Sequence, residues 1–299
     1  MKNNVRVWAC DYSVSTGEGN LARLFVEKNL SDKHVIFNKV YKNIVSNGFI
    51  KKILYYKYIS PIIGIFYCWY WHLNGKKVCY LNYLPLWNFI IFLFLPPKTI
   101  LGPITGGSFY LDISLHSLFR KYVFPIFYQL SIAILYFRDT KLLFSTDLLK
   151  KYLPKSYLKK SEFNFVFNYL KKKEKKIKDN KSFIIYYKKH KNKENFFPLD
   201  LIKKLIKYNF TVNIVGDFLH MDKVKNNGFL SKKKLNQLLS KSKYSFLSGE
   251  NIYSLFTIDC ISNHITLFVD KKKGYQISYF KENFKKIDYK NEKFLDKLI

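Results

Sequence analysis

The chain lacks most of the features that would mark it at once. Only four of its 299 residues are arginine (Arg6, Arg23, Arg120 and Arg138), although Lys and Arg together number 52. Asp and Glu number 21, which leaves a formal net charge of +31. A nucleic-acid reader relies on the planar, bidentate guanidinium, so a charge carried by lysine points away from base readout. Two other readings of the charge stay open. One is a compositional bias, visible also in few alanines and abundant Asn, Ile, Phe and Tyr. The other is attraction to anionic headgroups or phosphorylated substrates. The four cysteines, Cys10, Cys68, Cys79 and Cys260, show no CxxC spacing and no matching His cluster. That argues against zinc and redox motifs and predicts buried, reduced thiols in a cytoplasmic protein.

Long hydrophobic runs are missing too. Leu84 to Leu95, which precedes Pro96-Pro97, and Ile59 to Trp71 both fall short of the ~20 residues that a bilayer span needs. They are expected to be buried or membrane-facing helices. Met1-Lys-Asn-Asn runs straight into strand-like Val5 to Ala9, so no signal peptide is expected. The sequence holds no Ser/His/Asp order, no HExxH, no Walker A run and no GxGxxG. The six histidines are scattered, with His116 and His190 nearest the loops discussed below.

What is present is a large apolar fraction, 48% hydrophobic and 19% aromatic, enough for a sizeable core in two ordinary domains. Strand-like runs alternate with helix-like ones. In the first half the strands are expected at Val5–Cys10, Val35–Phe37, Val78–Asn82, Thr99–Leu101 and Lys141–Ser145. Helices are expected near 61–73, 86–95 and 113–137. In the second half strands are expected at Ser182–Tyr187, Thr211–Val215, Tyr244–Leu247 and Ile265–Val269, with a short strand or turn at Asn227–Leu230. Helices are expected at Pro198–Tyr208, at Lys232–Lys241 behind a Ser231 cap, and at Ile252–Ile261. Such alternation predicts parallel, doubly wound α/β sheets. The expected division is an N-terminal Rossmann-like domain over 1–155 and a C-terminal one over 156–275. A lysine-rich linker near Lys150–Lys160 would join them, and a helical tail over 276–299 would pack back on the first domain.

Ligands of such sheets bind at the loops that leave the carboxyl ends of the strands. Four stretches fall there. Gly17-Glu18-Gly19 follows the first strand; its glycines let the backbone approach a phosphate or sugar, and a plain tight turn is the alternative. Gly102-Pro-Ile-Thr105-Gly106-Gly107 reads as a shaped loop. Lys188 and its lysine-rich followers leave the first strand of the second half, either to neutralise a diphosphate or as a solvated basic loop. Last, Ser248-Gly249-Glu250-Asn251 follows the strand Tyr244–Leu247 and is expected to put Glu250 at the mouth of a helix that also carries Asp259. An anion at a helix N-terminus gains from the dipole, and a helix cap is the alternative role for Glu250.

Taken in order, these pieces resemble retaining GT-B glycosyltransferases of family 4. Lys188 and Lys193 have the spacing of that family's two diphosphate-binding cations. Ile214-Val-Gly-Asp217-Phe218 resembles its Val-Gly-Asp-Gly turn, and Asn227-Gly-Phe-Leu-Ser231 its Gly-Phe loop. Glu250 and Asp259 resemble its paired carboxylates, although the spacing is one residue longer and the second acid is Asp. The resemblance implies a metal-independent glycosyltransferase with the GT-B fold, using a UDP- or GDP-type nucleotide sugar as substrate and no tightly bound cofactor. Lys188, Lys193 and Glu250 would carry the transfer. Gly17, Glu18, Gly19, Asp217, Gly249, Asn251 and Asp259 would line the donor site, and Thr105, Gly106, Gly107 and His116 the acceptor side. The acceptor would be a glycan or lipid-linked hydroxyl in surface-polysaccharide or lipopolysaccharide synthesis. The implied place is the cytoplasm, peripherally at the inner membrane face, where Tyr55 to Trp71 would rest on anionic lipid or else form core. Other readings remain: a sugar-nucleotide epimerase or hydrolase, a non-catalytic relative on the same fold, or a basic nucleic-acid binder.

Overall fold

The computed structural model describes residues 5–14, 16–30, 34–37, 59–82, 84–107, 115–138, 141–171, 173–174, 179–189, 197–247, 251–289, 291 and 294. The chain is α/β with parallel sheets and divides into two compact units, Met1–Asn168 and Tyr169–Ile299.

The first unit opens with β1 (Val5–Ala9), α1 (Gly17–Asn29) and β2 (His34–Phe37). It continues through α2 (Ser60–Leu73), β3 (Val78–Leu81), α3 (Phe89–Phe94) and β4 (Ile100–Leu101). Its sheet has the order β2-β1-β3-β4, all parallel, with Val7 opposite both Ile36 and Cys79. The strands are apolar at nearly every position because both faces are covered, as parallel sheets require. Trp8, Tyr80 and Leu81 are almost wholly buried. Pro61 starts α2, its fixed φ suiting a first-turn position. Gly64 on that helix lets the Trp8 indole approach; a Cβ there would lie 2.3 Å from Nε1.

Leu115 to Arg138 forms two helices, α4 (Leu115–Tyr122) and α5 (Phe124–Arg138), where one is expected near 113–137. Pro125 explains the break, because it supplies no backbone donor to the turn before it. On α5 the Arg138 guanidinium donates to the carbonyls of Phe92 and Leu95, each at 2.9 Å, and to that of Pro96. It thereby satisfies the open carboxyl end of α3. β5 (Leu142–Leu143), α6 (Lys155–Leu158) and β6 (Ser161–Glu162) complete the unit. The lysine-rich stretch expected as a linker folds here instead. Lys150–Tyr152 is a 3-10 turn, and Leu153 and Tyr157 are buried in the first core. Its lysines face water while every few residues an apolar side chain turns inward.

The second unit contains β7 (Asp179–Tyr187), α7 (Leu199–Lys207), β8 (Thr211–Gly216), β9 (Lys225–Asn226) and α8 (Lys232–Lys241). It ends with β10 (Ser242–Phe246), α9 (Leu255–Ser262), β11 (Thr266–Asp270) and β12 (Phe284–Ile287). The sheet order is β12-β11-β10-β7-β8-β9, and every pair is parallel. Counted from β7 as strand 1, that is 3-2-1-4-5-6, the order of dinucleotide-binding folds. The core centres on Phe183, whose ring lies 5.1 Å from those of both Tyr244 and Phe246.

The expected helical tail needs correction over its described part. Phe284–Ile287 is an edge strand, paired Leu267↔Phe284 and Asp270↔Ile287. Phe284 and Ile287 turn inward while Lys285 and Lys286 face water, so burial of two apolar side chains decides the state. Residues 290, 292–293 and 295–299 of the expected tail lie outside the described residues.

Candidate functional site

In open α/β sheets ligands collect where the strand order reverses, at the carboxyl ends of the two strands that flank the reversal. Each unit has such a point. In the first it lies between β1 and β3; in the second, between β7 and β10.

At the first point Asp11 follows β1 and is nearly buried. Its Oδ1 accepts from the Ser13 amide at 2.9 Å and its Oδ2 from the Thr16 hydroxyl at 2.6 Å. Asn82, in a left-handed conformation (φ 47) just past β3, answers from the other strand. Its Oδ1 accepts from the Asp11 amide at 3.1 Å, and its Nδ2 donates to the carbonyls of Asp11 and Glu18. The Thr16 hydroxyl caps α1 by accepting from the Gly19 amide at 3.0 Å. Gly17 is the first helical residue, with open space where a Cβ would go. Gly19 is different: a Cβ there would meet the Ser13 carbonyl oxygen at 2.1 Å. That glycine holds the loop tight against its own helix rather than leaving room for a ligand.

Burial, and secondarily the Asp11 charge, push the Glu18 carboxyl from its ordinary 4.5 up to about 7. The folded chain therefore holds a proton that the unfolded chain releases above pH 4.5, so stability is lost as pH rises from about 4.5 to about 7. Glu18 keeps some solvent contact, so the effect falls short of the full linkage value, at about 2 kcal/mol. Urea titrations from pH 5 to 8 should show that loss in the wild type and a much flatter profile in Glu18→Gln. Parallel profiles would mean that Glu18 titrates normally.

The Gly102–Gly107 loop is stitched into the first unit. The Thr105 amide donates to Leu84 (3.0 Å), the Leu86 amide to Thr105 (2.9 Å) and the Ile104 amide to Leu143 (2.7 Å). Gly106 and Gly107 both take positive φ, at 132° and 79°. Gly107 is packed so that a Cβ would touch Leu148 at 3.0 Å. The backbone of this loop is committed to the core; the Thr105 side chain keeps partial exposure. His116 lies in the first turn of α4, with its side chain outside the described residues.

In the second unit, Lys188 and Lys189 leave β7 exposed at the reversal. Gly216 ends β8 at φ 105, so close to β7 that a Cβ would stand 2.2 Å from the Tyr187 carbonyl oxygen. This contact aims the next residue. The Asp217 amide donates to the Tyr187 carbonyl at 2.9 Å, and Asp217 Oδ2 accepts from the Lys189 amide at 2.7 Å. Asp217 thus shapes the turn that presents the lysines. Lys193 and His190 lie outside the described residues, as do Gly249 and Glu250.

Helix α9 begins later than the sequence suggests. Its cap is Ser254, whose hydroxyl accepts from the Thr257 amide at 3.2 Å. Asn251 Oδ1 accepts from the Tyr253 amide at 3.0 Å, making residues 251–253 a turn rather than a first helical turn. The cap therefore falls four positions after Glu250 in the sequence. A Ser followed at the third position by Thr was the cap signal, and the apolar Ile252-Tyr253 masked it.

Asp259 faces the inside of α9 and is nearly buried. Its carboxylate pairs with the ammonium of Lys232 in the first turn of α8. Lys232 also lies 4.3 Å from the centre of the Tyr169 ring. Lys173 donates to Asn236 at 2.7 Å and to Asn263 at 3.4 Å beside them. Burial raises the Asp259 carboxyl above the usual range, and Lys232 opposes that rise. The cluster ties Tyr169 to α8, and Lys173 to α8 and to the residue that ends α9.

A hollow lined by Asp179, Ser182, Thr211, Asn213 and Lys225 sits at the amino ends of β7 and β8. It is at the wrong end of the strands for the fold's usual ligand site. Among the described residues no group of three His, Cys, Asp or Glu side chains is arranged to hold a metal ion. Asp11, Asn82 and Ser254 are the site residues that sequence reasoning missed. No protein-family model matches the chain, and no curated protein matches it.

Proposed function

We propose that the chain is a GT-B glycosyltransferase that moves a sugar from a nucleotide sugar to a hydroxyl acceptor, with its donor site in the second unit. The observation that carries this reading is the 3-2-1-4-5-6 sheet, whose reversal point joins exposed Lys188 to the loop before the Ser254-capped helix. Breaking a sugar–phosphate bond places negative charge on the departing diphosphate. Lys188, with Lys193 at the spacing set out above, would neutralise that charge, and the amides opening α9 would add to it. Glu250, as the residue nearest the transferred sugar, remains part of the proposal, as does Asp259 toward the ribose; its pairing with Lys232 favours a supporting role for it.

The first unit supplies a different chemistry. Its reversal point carries the carboxyls of Asp11 and Glu18 and no described cation hydrogen-bonded to either. Such a point disfavours a phosphate. A carboxyl titrating near neutrality both accepts and donates hydrogen bonds, which suits the hydroxyl groups of a glycan acceptor and moves Glu18 from the donor side, where the resemblance puts it, to the acceptor side.

A thermal-shift series with UDP, GDP, CMP and their sugar conjugates tests the donor reading. A nucleotide at about a hundred times its Kd adds roughly 2.7 kcal/mol and should raise Tm by about 4 °C or more. No shift with any of them would overturn the proposal. Release of nucleotide from a sugar conjugate without any acceptor would favour a hydrolase on the same fold.

A further inference from the structure

Four helices of the first unit present large apolar side chains outward. On α5 the exposed positions include Ile126, Leu130, Tyr136 and Phe137, which recur at helical spacing. The opposite stripe, with Tyr128, Ile132 and Leu135, is buried in the core. On α2 the outward stripe is Ile62, Phe66, Trp69, Tyr70 and Leu73, while Gly64, Cys68 and Trp71 face in. On α4 it is Leu115, Leu118, Phe119 and Tyr122. Helix α3 adds Ile90, Leu93 and Phe94. Phe66 is 70% exposed, Leu73 78%, and Leu115 and Phe137 86% each.

These stripes belong to one layer. Trp69 Nε1 on α2 donates to the Phe94 carbonyl of α3 at 2.7 Å, and Arg138 on α5 holds the end of the same helix. The Phe119 ring of α4 meets Phe124 of α5 edge-on at 5.9 Å. A soluble surface rarely keeps so many large apolar side chains outward on one layer without a partner.

The charge around the layer names the partner. Among the described residues 59–82, 84–107 and 115–138 there are six lysines and arginines and no carboxylate. Lys76 and Lys77 follow α2, Lys98 follows α3, and Lys121 lies on α4; all four are exposed. Apolar side chains, outward Trp and Tyr, and a cationic rim with almost no acid match the surface of an anionic phospholipid bilayer. Leu118–Arg138 is 21 residues long with a mean hydropathy of 1.2, which is long and apolar enough to cross a membrane. Its inner stripe and Arg138 are committed to the core of the unit, however, which leaves only the outer stripe to meet a membrane.

We infer that the α2–α3–α4–α5 layer of the first unit inserts its aromatic and aliphatic side chains into the interface of an anionic membrane. This inference does not depend on the donor-site reading, since it needs no nucleotide and no turnover. The test uses the full chain with vesicles of phosphatidylglycerol and phosphatidylcholine, compared with phosphatidylcholine alone. The wild type should sediment with the anionic vesicles and remain partly bound at high salt, and its tryptophan emission should move to the blue. Phe66→Gln/Leu73→Gln/Phe137→Gln should bind about tenfold or more weakly at unchanged Tm, because all three side chains already face outward. Lys76→Glu/Lys77→Glu/Lys121→Glu should lose the preference for phosphatidylglycerol. Failure to sediment with anionic vesicles would overturn the inference. So would binding that salt abolishes and the apolar variant keeps, which would be surface attraction alone. A concentration-dependent dimer, lost in the apolar variant and indifferent to vesicles, would assign the layer to a second copy and overturn it as well.

Discussion

Replacing Gly216 by valine is expected to cost about 3 kcal/mol or more. Two independent penalties add at this position. The backbone sits at φ 105, a region that a β-branched residue scarcely enters. A Cβ would also stand 2.2 Å from the Tyr187 carbonyl oxygen, an atom of the central strand that no rotamer change can move aside. To make room, β7 and β8 must part at their carboxyl ends, where the Asp217 amide and the Tyr187 carbonyl now meet. The variant should therefore lose nucleotide-dependent stabilisation along with its own stability. Urea denaturation of both proteins reads the first effect and thermal shift the second. Gly17→Ala is the control: nothing lies within 4 Å of its Cβ, and alanine in a first helical turn should be neutral or slightly stabilising. A cost for Gly216→Val below about 1 kcal/mol would refute the close-approach argument.

Lys188→Ala is expected to lower kcat/KM for nucleotide-sugar consumption by about 30- to 1,000-fold, corresponding to roughly 2–4 kcal/mol of lost transition-state stabilisation. The lysine is exposed at the strand reversal, so removing it should leave Tm nearly unchanged. Lys189→Ala makes a useful comparison, because the structure holds Lys189 through its backbone amide on Asp217. That variant should stay within severalfold of the wild type. Steady-state kinetics with the nucleotide sugar that gives the largest thermal shift would separate the two. Equal activity of Lys188→Ala and the wild type would remove this residue from the donor diphosphate.

Much of the second unit could be read directly from the residues, and for a plain reason. Its strands are short apolar runs between polar turns, and Ser231 announces α8 by a side chain that does cap it, accepting from the Lys234 amide. What could not be read was which strands lie beside which. The 3-2-1-4-5-6 order depends on pairing between segments as distant as Phe183 and Tyr244, and no local pattern encodes that. Strand β12 was missed because Phe-Lys-Lys-Ile has neither alternation nor a β-rich composition; only the edge of β11 makes it a strand. The first unit misled in another way. Its helices α2 and α5 are apolar on nearly every side, so periodicity could not say which face is inward, and core and membrane surface both stood as readings for the aromatics of α2. The fold divides them, sending Trp71 inward and Phe66 and Tyr70 outward. Of the candidate site, the lysines after β7 and the Gly-Asp turn were visible as motifs. The Asp11–Asn82 link was not, since its partners are 71 residues apart.

One side chain also bears on the order in which the second unit can be completed. The Tyr289 hydroxyl lies between the Leu247 and Phe268 carbonyls, at 3.0 and 2.9 Å, bridging the carboxyl end of β10 to the middle of β11. It reaches Leu247 from 42 residues further along the chain. During vectorial synthesis β7, β8 and β10 emerge well before it, so the pleated centre can pair while one wall of the reversal point is still unfastened. The ligand end of the sheet is thus sealed by a residue made late, and a nascent chain stopped short of Tyr289 would hold the lysines of β7 without the finished strand ends beside them.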